Sequence, residues 1–251
     1  MKVQEIPLGQ IGPVVVAADA KDHGSWVAAQ IMGLELGVAK SAQVIMMTTK
    51  VGITPYENRL HGLLRQADDI AKNNRQGKAI VSMSWGITTR MADPAGMAVM
   101  RKQLSDRVVY VPQPNRTSCL VKILNILNGD LGTLLVAAAG NDATPNAAYP
   151  NKPVSAEING YPAKFLGEGV LPDLLVVGAT DKNGRRASFS QRILSNEKAI
   201  VHAPGMLVHC PVPDAPLPGK PVVVKETYQE KSGTSFGKAN PGTPPRLPTP
   251  G

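Results

Sequence analysis

Apolar residues fall along this chain in short unbroken runs, and these alternate with stretches where they recur every three or four positions. The first pattern predicts buried strands and the second amphipathic helices. Val14–Ala18 reads as a short strand, and His23–Leu36 as a helix with Val27, Ile31 and Leu34 at helical spacing and Gly37 as its stop. Gln43–Thr49 is the next strand, and Thr54–Asn74 a helix with Leu60, Leu63, Leu64 and Ile70 on one side. Strand Lys78–Trp85 and helix Asp93–Leu104 follow, then a helical stretch over Thr117–Leu127. Strands are predicted at Thr133–Ala139, Leu174–Thr180, Ala199–Ala203 and Val222–Lys225. Continuous apolar strands bounded by Gly, Asn and Pro suit a sheet covered on both sides. The alternation therefore predicts an α/β fold, a doubly wound and mostly parallel sheet with helices on both faces.

From Ala239 the pattern stops. Ala-Asn-Pro-Gly-Thr-Pro-Pro-Arg-Leu-Pro-Thr-Pro-Gly suits neither helix nor interior strand. Residues 1–238 are thus expected to form one domain, and 239–251 a disordered or polyproline-like tail. Apolar residues at 43% are ordinary for a globular protein, and aromatics at 4% leave the core to aliphatic side chains and Met. No apolar run nears the roughly 18 residues that span a bilayer. Met1–Pro7 carries Glu5 ahead of a brief apolar stretch, unlike a secretory leader, and the compartment stays open. The net charge of +8 is spread along the chain, with Arg185-Arg186 in a turn, so a solvated basic surface is expected and no nucleic-acid partner. Cys119 and Cys210 have no metal or redox spacing, and isolated cysteines are expected as small buried hydrophobes. Oligomeric state is not legible.

Four strand-end segments carry candidate chemistry. Asp22-His23-Gly24-Ser25 puts a histidine at a helix start, and Ser84-Trp85-Gly86 ends one strand. Ala139-Gly140-Asn141 ends another, and Ser232-Gly233-Thr234-Ser235 follows the last. Sites in open α/β sheets gather at the carboxyl ends of strands. A serine, a histidine and a side-chain amide collected there suit a nucleophile, a general base and an oxyanion donor.

Taken in order, these segments resemble the subtilase family of serine peptidases. His23-Gly24-Ser25 with Val27-Ala28 resembles its His-Gly-Thr-x-Val-Ala motif, and Ser84-Trp85-Gly86 its Ser-Leu-Gly strand. Ala138-Ala139-Gly140-Asn141 matches its oxyanion segment. Val177-Gly178-Ala179-Thr180 with Ala187-Ser188-Phe189-Ser190, Ala203-Pro204-Gly205, and Ser232-Gly233-Thr234-Ser235 continue the series. The resemblance covers about residues 19–238 and implies a subtilisin-like fold and a serine-type endopeptidase acting on polypeptides. It implies Ser235 as nucleophile, His23 as proton acceptor and Asn141 as oxyanion donor. It also implies that Ser84, Trp85 and Gly86, with Ala139 and Gly140, pair with an extended substrate, Trp85 reshaping the specificity pocket. No cofactor is implied and no metal takes part in that chemistry. Structural calcium is common in the family, but no carboxylate loop stands out here.

The chain departs from the family pattern twice. The family's aspartate lies on the first core strand, a few dozen residues ahead of the histidine. Here Asp19 and Asp22 are the aspartates ahead of His23, Asp19 following the β-like run and Asp22 adjoining the histidine. After the serine, Phe236-Gly237-Lys238-Ala239-Asn240-Pro241 replaces a long helix reading Ser-Met-Ala-x-Pro-x-Val-Ala. The chain reads as truncated at both ends, so a catalytically impaired pseudo-peptidase or peptide-binding remnant is the alternative. Gly233-Thr234-Ser235-Phe236-Gly237 also fits the Gly-x-Ser-x-Gly elbow of α/β-hydrolases. That fold needs an acid and a histidine after the serine, and 236–251 contain neither.

Overall fold

The computed structural model describes residues 3–7, 18–33, 37–39, 41–48, 55–88, 116–145, 154–196, 199–211 and 228–238. At its centre is a parallel sheet of four strands in the order β3-β5-β7-β8: β3 (Ile80–Met83), β5 (Leu134–Ala138), β7 (Leu175–Thr180) and β8 (Ile200–Pro204). Each was predicted to within two residues. The register pairs Ile80 with Leu134, Val136 with Leu175 and Val177 with Val201, so odd-numbered residues of β3 and β5 share a face with even-numbered residues of β7 and β8.

One face is a dry core. Val81, Met83, Leu135, Ala137, Val176 and Ile200 point into it from the sheet. Helix α2 (Pro55–Lys72) supplies Leu63 and Ile70, and helix α3 (Arg116–Asn125), continued by a π turn at Ile126–Asp130, supplies Leu120, Ile123, Leu124 and Leu127. A short helix, α4 (Lys164–Gly167), adds Phe165, 1% exposed. Burial of each such side chain contributes about 1.5–3 kcal/mol. Pro55 opens α2 at the position where a missing N–H costs nothing. Leu64 departs from expectation. It is 50% exposed, because Leu63, one residue earlier, takes the core-facing position.

The opposite face is covered mainly near the strand tips, where Val136, Val177 and Ala203 form a small cluster. Towards the other end Ile80, Leu134 and Val201 are exposed. The tips themselves are capped by a one-turn helix, α5 (Thr234–Gly237); helix α1 (Ala18–Met32) packs on α5 and on β9 (Val208–Pro211), which pairs antiparallel with β10 (Tyr228–Lys231). Trp26, Val27, Cys210 and Phe236 form the core beneath them. Gln30 Nε2 donates to the His209 carbonyl at 2.6 Å, tying α1 to β9.

Several local expectations are corrected here. α1 begins at Ala18, so that residue opens a helix instead of closing a strand, and His23 lies in the second turn. The Ala-rich stretch around Asp19 favours helix once it has a surface to pack on. The helix ends at Met32 and not at Leu36. The first strand is β1 (Val3–Pro7), paired in parallel with β2 (Val44–Thr48). An antiparallel pair, β4 (Ile87–Thr88) with β6 (Gly160–Tyr161), lies beyond β3. Cys119 is exposed while Cys210 is buried, and both are free thiols. Most of the predicted strand Val14–Ala18, the helix Asp93–Leu104, the strand Val222–Lys225 and the tail 239–251 lie outside the described residues.

Candidate active site

The carboxyl ends of β3 and β5 are neighbours, so the segments that follow them emerge side by side. Ser84, Trp85 and Gly86 leave β3, and Ala139, Gly140 and Asn141 leave β5. Between them lies a cavity of ≈140 Å³, and Ser235 of α5 is in its wall. All the expected serine, amide and substrate-contacting residues thus line one space. Ser235 is 7% exposed, and its hydroxyl donates to the Ser84 carbonyl at 3.5 Å, a long contact.

A network through Thr234 fixes this arrangement. The Thr234 backbone N–H donates to Asn141 Oδ1 at 2.9 Å, and the Thr234 hydroxyl donates to the same oxygen at 3.0 Å. The Gly140 N–H in turn donates to Thr234 Oγ1 at 3.1 Å. A backbone N–H is only a donor, so the atom facing it must be the amide oxygen. The Asn141 NH₂ is thereby turned away and, among the described residues, keeps no acceptor. An amide held so is preorganised to donate to a developing negative charge.

Gly140 is required where it stands. Its φ is +110°, and a Cβ there would meet Gln191 Oε1 at 2.0 Å. Gln191 is 1% exposed, its backbone N–H donates to the Gly140 carbonyl at 3.1 Å, and its Nε2 holds the carbonyls of Ser155 and Glu157 and the Asn159 side chain. It braces the far wall of the cavity. On the near wall Arg59 of α2 donates to the Gly86 carbonyl at 3.2 Å and stacks 4.9 Å from the Trp85 ring centroid. Thr234, Gln191 and Arg59 were not singled out in the sequence. Thr234 and Gln191 stand inside or beside recognised motifs, but Arg59 has no local signal at all.

α5 sits on the sheet so tightly that a Cβ at Gly237 would meet the carbonyl oxygens of Gly178 and Ala203 at 2.7 and 2.9 Å. That close seat sets the height of Ser235 over the strand tips.

His23 arrives from α1. It is not among the residues lining the cavity; its ring packs against Phe236, the neighbour of Ser235, with centroids 5.9 Å apart. Burial pushes the imidazole below its usual value, and the charge of Lys238 lowers it further. Both effects favour the free base, the form that accepts a proton. Among the described residues it has no hydrogen-bonding carboxylate. Asp19 lies in the first turn of α1, one turn before His23, and not at a strand tip. Among the described residues no group of three or more His, Cys, Asp and Glu is placed to hold a metal ion, and no helix is long and apolar enough to cross a membrane.

Known proteins resemble this chain in sequence and in fold. The subtilase family profile matches residues 11–239. Subtilisin-like protease 3 of Pseudogymnoascus destructans is 28% identical over 176 residues, which are 68% of this chain and 32% of that protein. Alkaline protease 1 of Aspergillus clavatus is 29% identical over 173 residues, again 68% and 32%. The chain therefore spans about a third of these relatives' length. In fold it is like a solved structure of the PatA protease domain, with a TM-score of 0.57 at 20% identity, covering 95% of this chain and 68% of that one. A family match across nearly the whole chain, joined to a strand-tip site built from that family's motif residues, carries one conclusion: the chain belongs to the subtilase family of serine peptidases.

Proposed function

We propose that this chain carries a serine endopeptidase centre, with residues 1–238 as the peptidase domain and 239–251 as an appended tail. Ser235 Oγ attacks the carbonyl carbon of a peptide bond while His23 takes the hydroxyl proton. The oxyanion that forms is held by the Asn141 NH₂ and the Ser235 backbone N–H. When the C–N bond breaks, His23 returns the proton to the leaving amine, and water then hydrolyses the Ser235 ester by the same path. The substrate is an extended polypeptide, its backbone pairing with Ser84–Gly86 on one side and Ala139–Gly140 on the other.

The observation that carries this reading is that Ser235 lines one cavity with Asn141, whose amide oxygen is tied down and whose NH₂ is left to donate. A second reading rests on a different observation. Among the described residues His23 has no carboxylate partner, and removal of that group alone costs subtilisin about 3 × 10⁴ in turnover. On that reading the groove binds peptide and turns it over poorly or not at all. A fluorophosphonate probe separates them. Covalent modification that disappears in Ser235→Ala supports the enzyme; folded protein that stays unmodified in excess probe leaves the binding remnant.

A further inference from the structure

Lys238 is the most anomalous residue in the described structure. It lies just past α5, its backbone N–H donating to the Thr234 carbonyl at 3.2 Å, three residues after the nucleophile proposed above. The residue is 4% exposed, and its Nζ is buried with no hydrogen-bond partner among the described residues. A lysine is almost never fully buried unless it is paired, because removing an ammonium from water costs several kcal/mol unless an anion offsets it. Among the side chains described on the elements that pack against α5 none is an anion: β5 and β7 carry no titratable residue, β8 carries His202 and α1 carries His23, while Asp19, Lys21 and Asp22 also belong to α1. Burial accordingly drives the amine well below its usual value.

The position matters because of what lies next to it. α1 packs on α5, the His23 ring meets Phe236, and the Lys238 charge acts on the imidazole. We propose that Lys238 is a positioning residue of this centre: while its amine is protonated, the charge beside His23 opposes transfer of the Ser235 proton to the ring, and loss of that proton releases the centre. Two neighbouring bases titrate in sequence. Once the amine holds its proton, its charge resists a second one on the imidazole. In the reaction, the proton leaving Ser235 Oγ makes His23 an imidazolium. That species forms freely beside a neutral amine and against repulsion beside an ammonium.

This inference rests on the reading of Ser235 and His23 given above, so it is tested by two readouts, one of which does not need that reading. The first is the pH dependence of fluorophosphonate labelling of Ser235. The unaltered protein should show two rising steps, with plateaus separated by about tenfold. Lys238→Met, close in length and flexible enough to fill the same space, should lose the upper step and label at the upper plateau once His23 is neutral. A step belonging to His202 would persist in it. Lys238→Arg, charged throughout, should stay at the lower plateau.

The second readout is the NMR titration of His23, assigned with His23→Gln. Its midpoint should rise in Lys238→Met, since a charge that lowers it has been removed. A single labelling step in the unaltered protein, or a His23 midpoint that Lys238→Met leaves unmoved, overturns the proposal. Complete failure to label in every variant would instead sink the peptidase reading, and the His23 titration would still decide whether Lys238 acts on the imidazole.

Discussion

Thr234→Val tests how the oxyanion donor is held. The substitution keeps the shape of the side chain and its β-branch but replaces the hydroxyl by a methyl. Two hydrogen bonds go with it, from the Gly140 N–H and to Asn141 Oδ1, while the bond from the Thr234 backbone N–H to Asn141 remains. Thr234 is 1% exposed, so water does not readily replace the lost acceptor. An orphaned buried donor costs about 1–3 kcal/mol. For a chain of this size that lowers the melting temperature by roughly 2–12 °C. Losing an oxyanion donor outright costs about 10²–10³ in rate; loosening one of two anchors should cost less, about tenfold in fluorophosphonate labelling. Denaturant unfolding gives the first quantity, and labelling of fully folded protein the second. Thr234→Ser, which keeps the oxygen, should restore most of both. If Thr234→Val matches the unaltered protein in stability and in labelling rate, the network does not hold Asn141 and the argument for a preorganised amide fails.

Two other outcomes follow from the packing. Gly140→Ala puts a methyl on a backbone at φ +110° and against Gln191 Oε1; it should cost about 1–3 kcal/mol in chemical unfolding and slow labelling, and a neutral result would mean that Gln191 yields at no cost. Cys210 is buried, which raises its thiol from 9.0 to about 11. The unfolded chain therefore ionises first, so the stability this thiol contributes is complete below pH 9 and is lost as pH rises towards 11, at most about 2–3 kcal/mol in all. Cys210→Ala should flatten that part of the curve relative to the unaltered protein, and parallel curves from pH 8 to 11 would contradict the burial of the thiol.

What the chain made legible was the part written in local pattern. β3, β5, β7 and β8 are continuous apolar runs stopped by Gly, Asn or Pro, and a run of that kind has few ways to be buried other than inside a parallel sheet. Ser84–Gly86, Ala139–Asn141 and Ser232–Ser235 follow those strands or a hairpin, so the residues that line the cavity together were already on the page as motifs. Edge and capping elements were harder to see. β1 is five residues with Glu5 and Pro7 among them, and among the described residues β9 and β10 pair only with each other. Their pattern is weak because their partners, and not their own periodicity, make them strands.

Burial and contact at long range were decided only by the tertiary structure. Leu63 and Leu64 are equally apolar, yet the angle at which α2 meets the sheet buries one and exposes the other. Thr234 reaches Asn141 across 93 positions, Gln191 reaches Ser155 across 36, and Arg59 reaches Gly86 across 27. A lysine at 238 looks like any solvated charge until α5 is seated on β7 and β8 and takes it indoors. Hydrophobic periodicity records which way a residue faces along its own element. It carries no information on which other element that face will meet, and the charge, orientation and reactivity of this centre depend on those meetings.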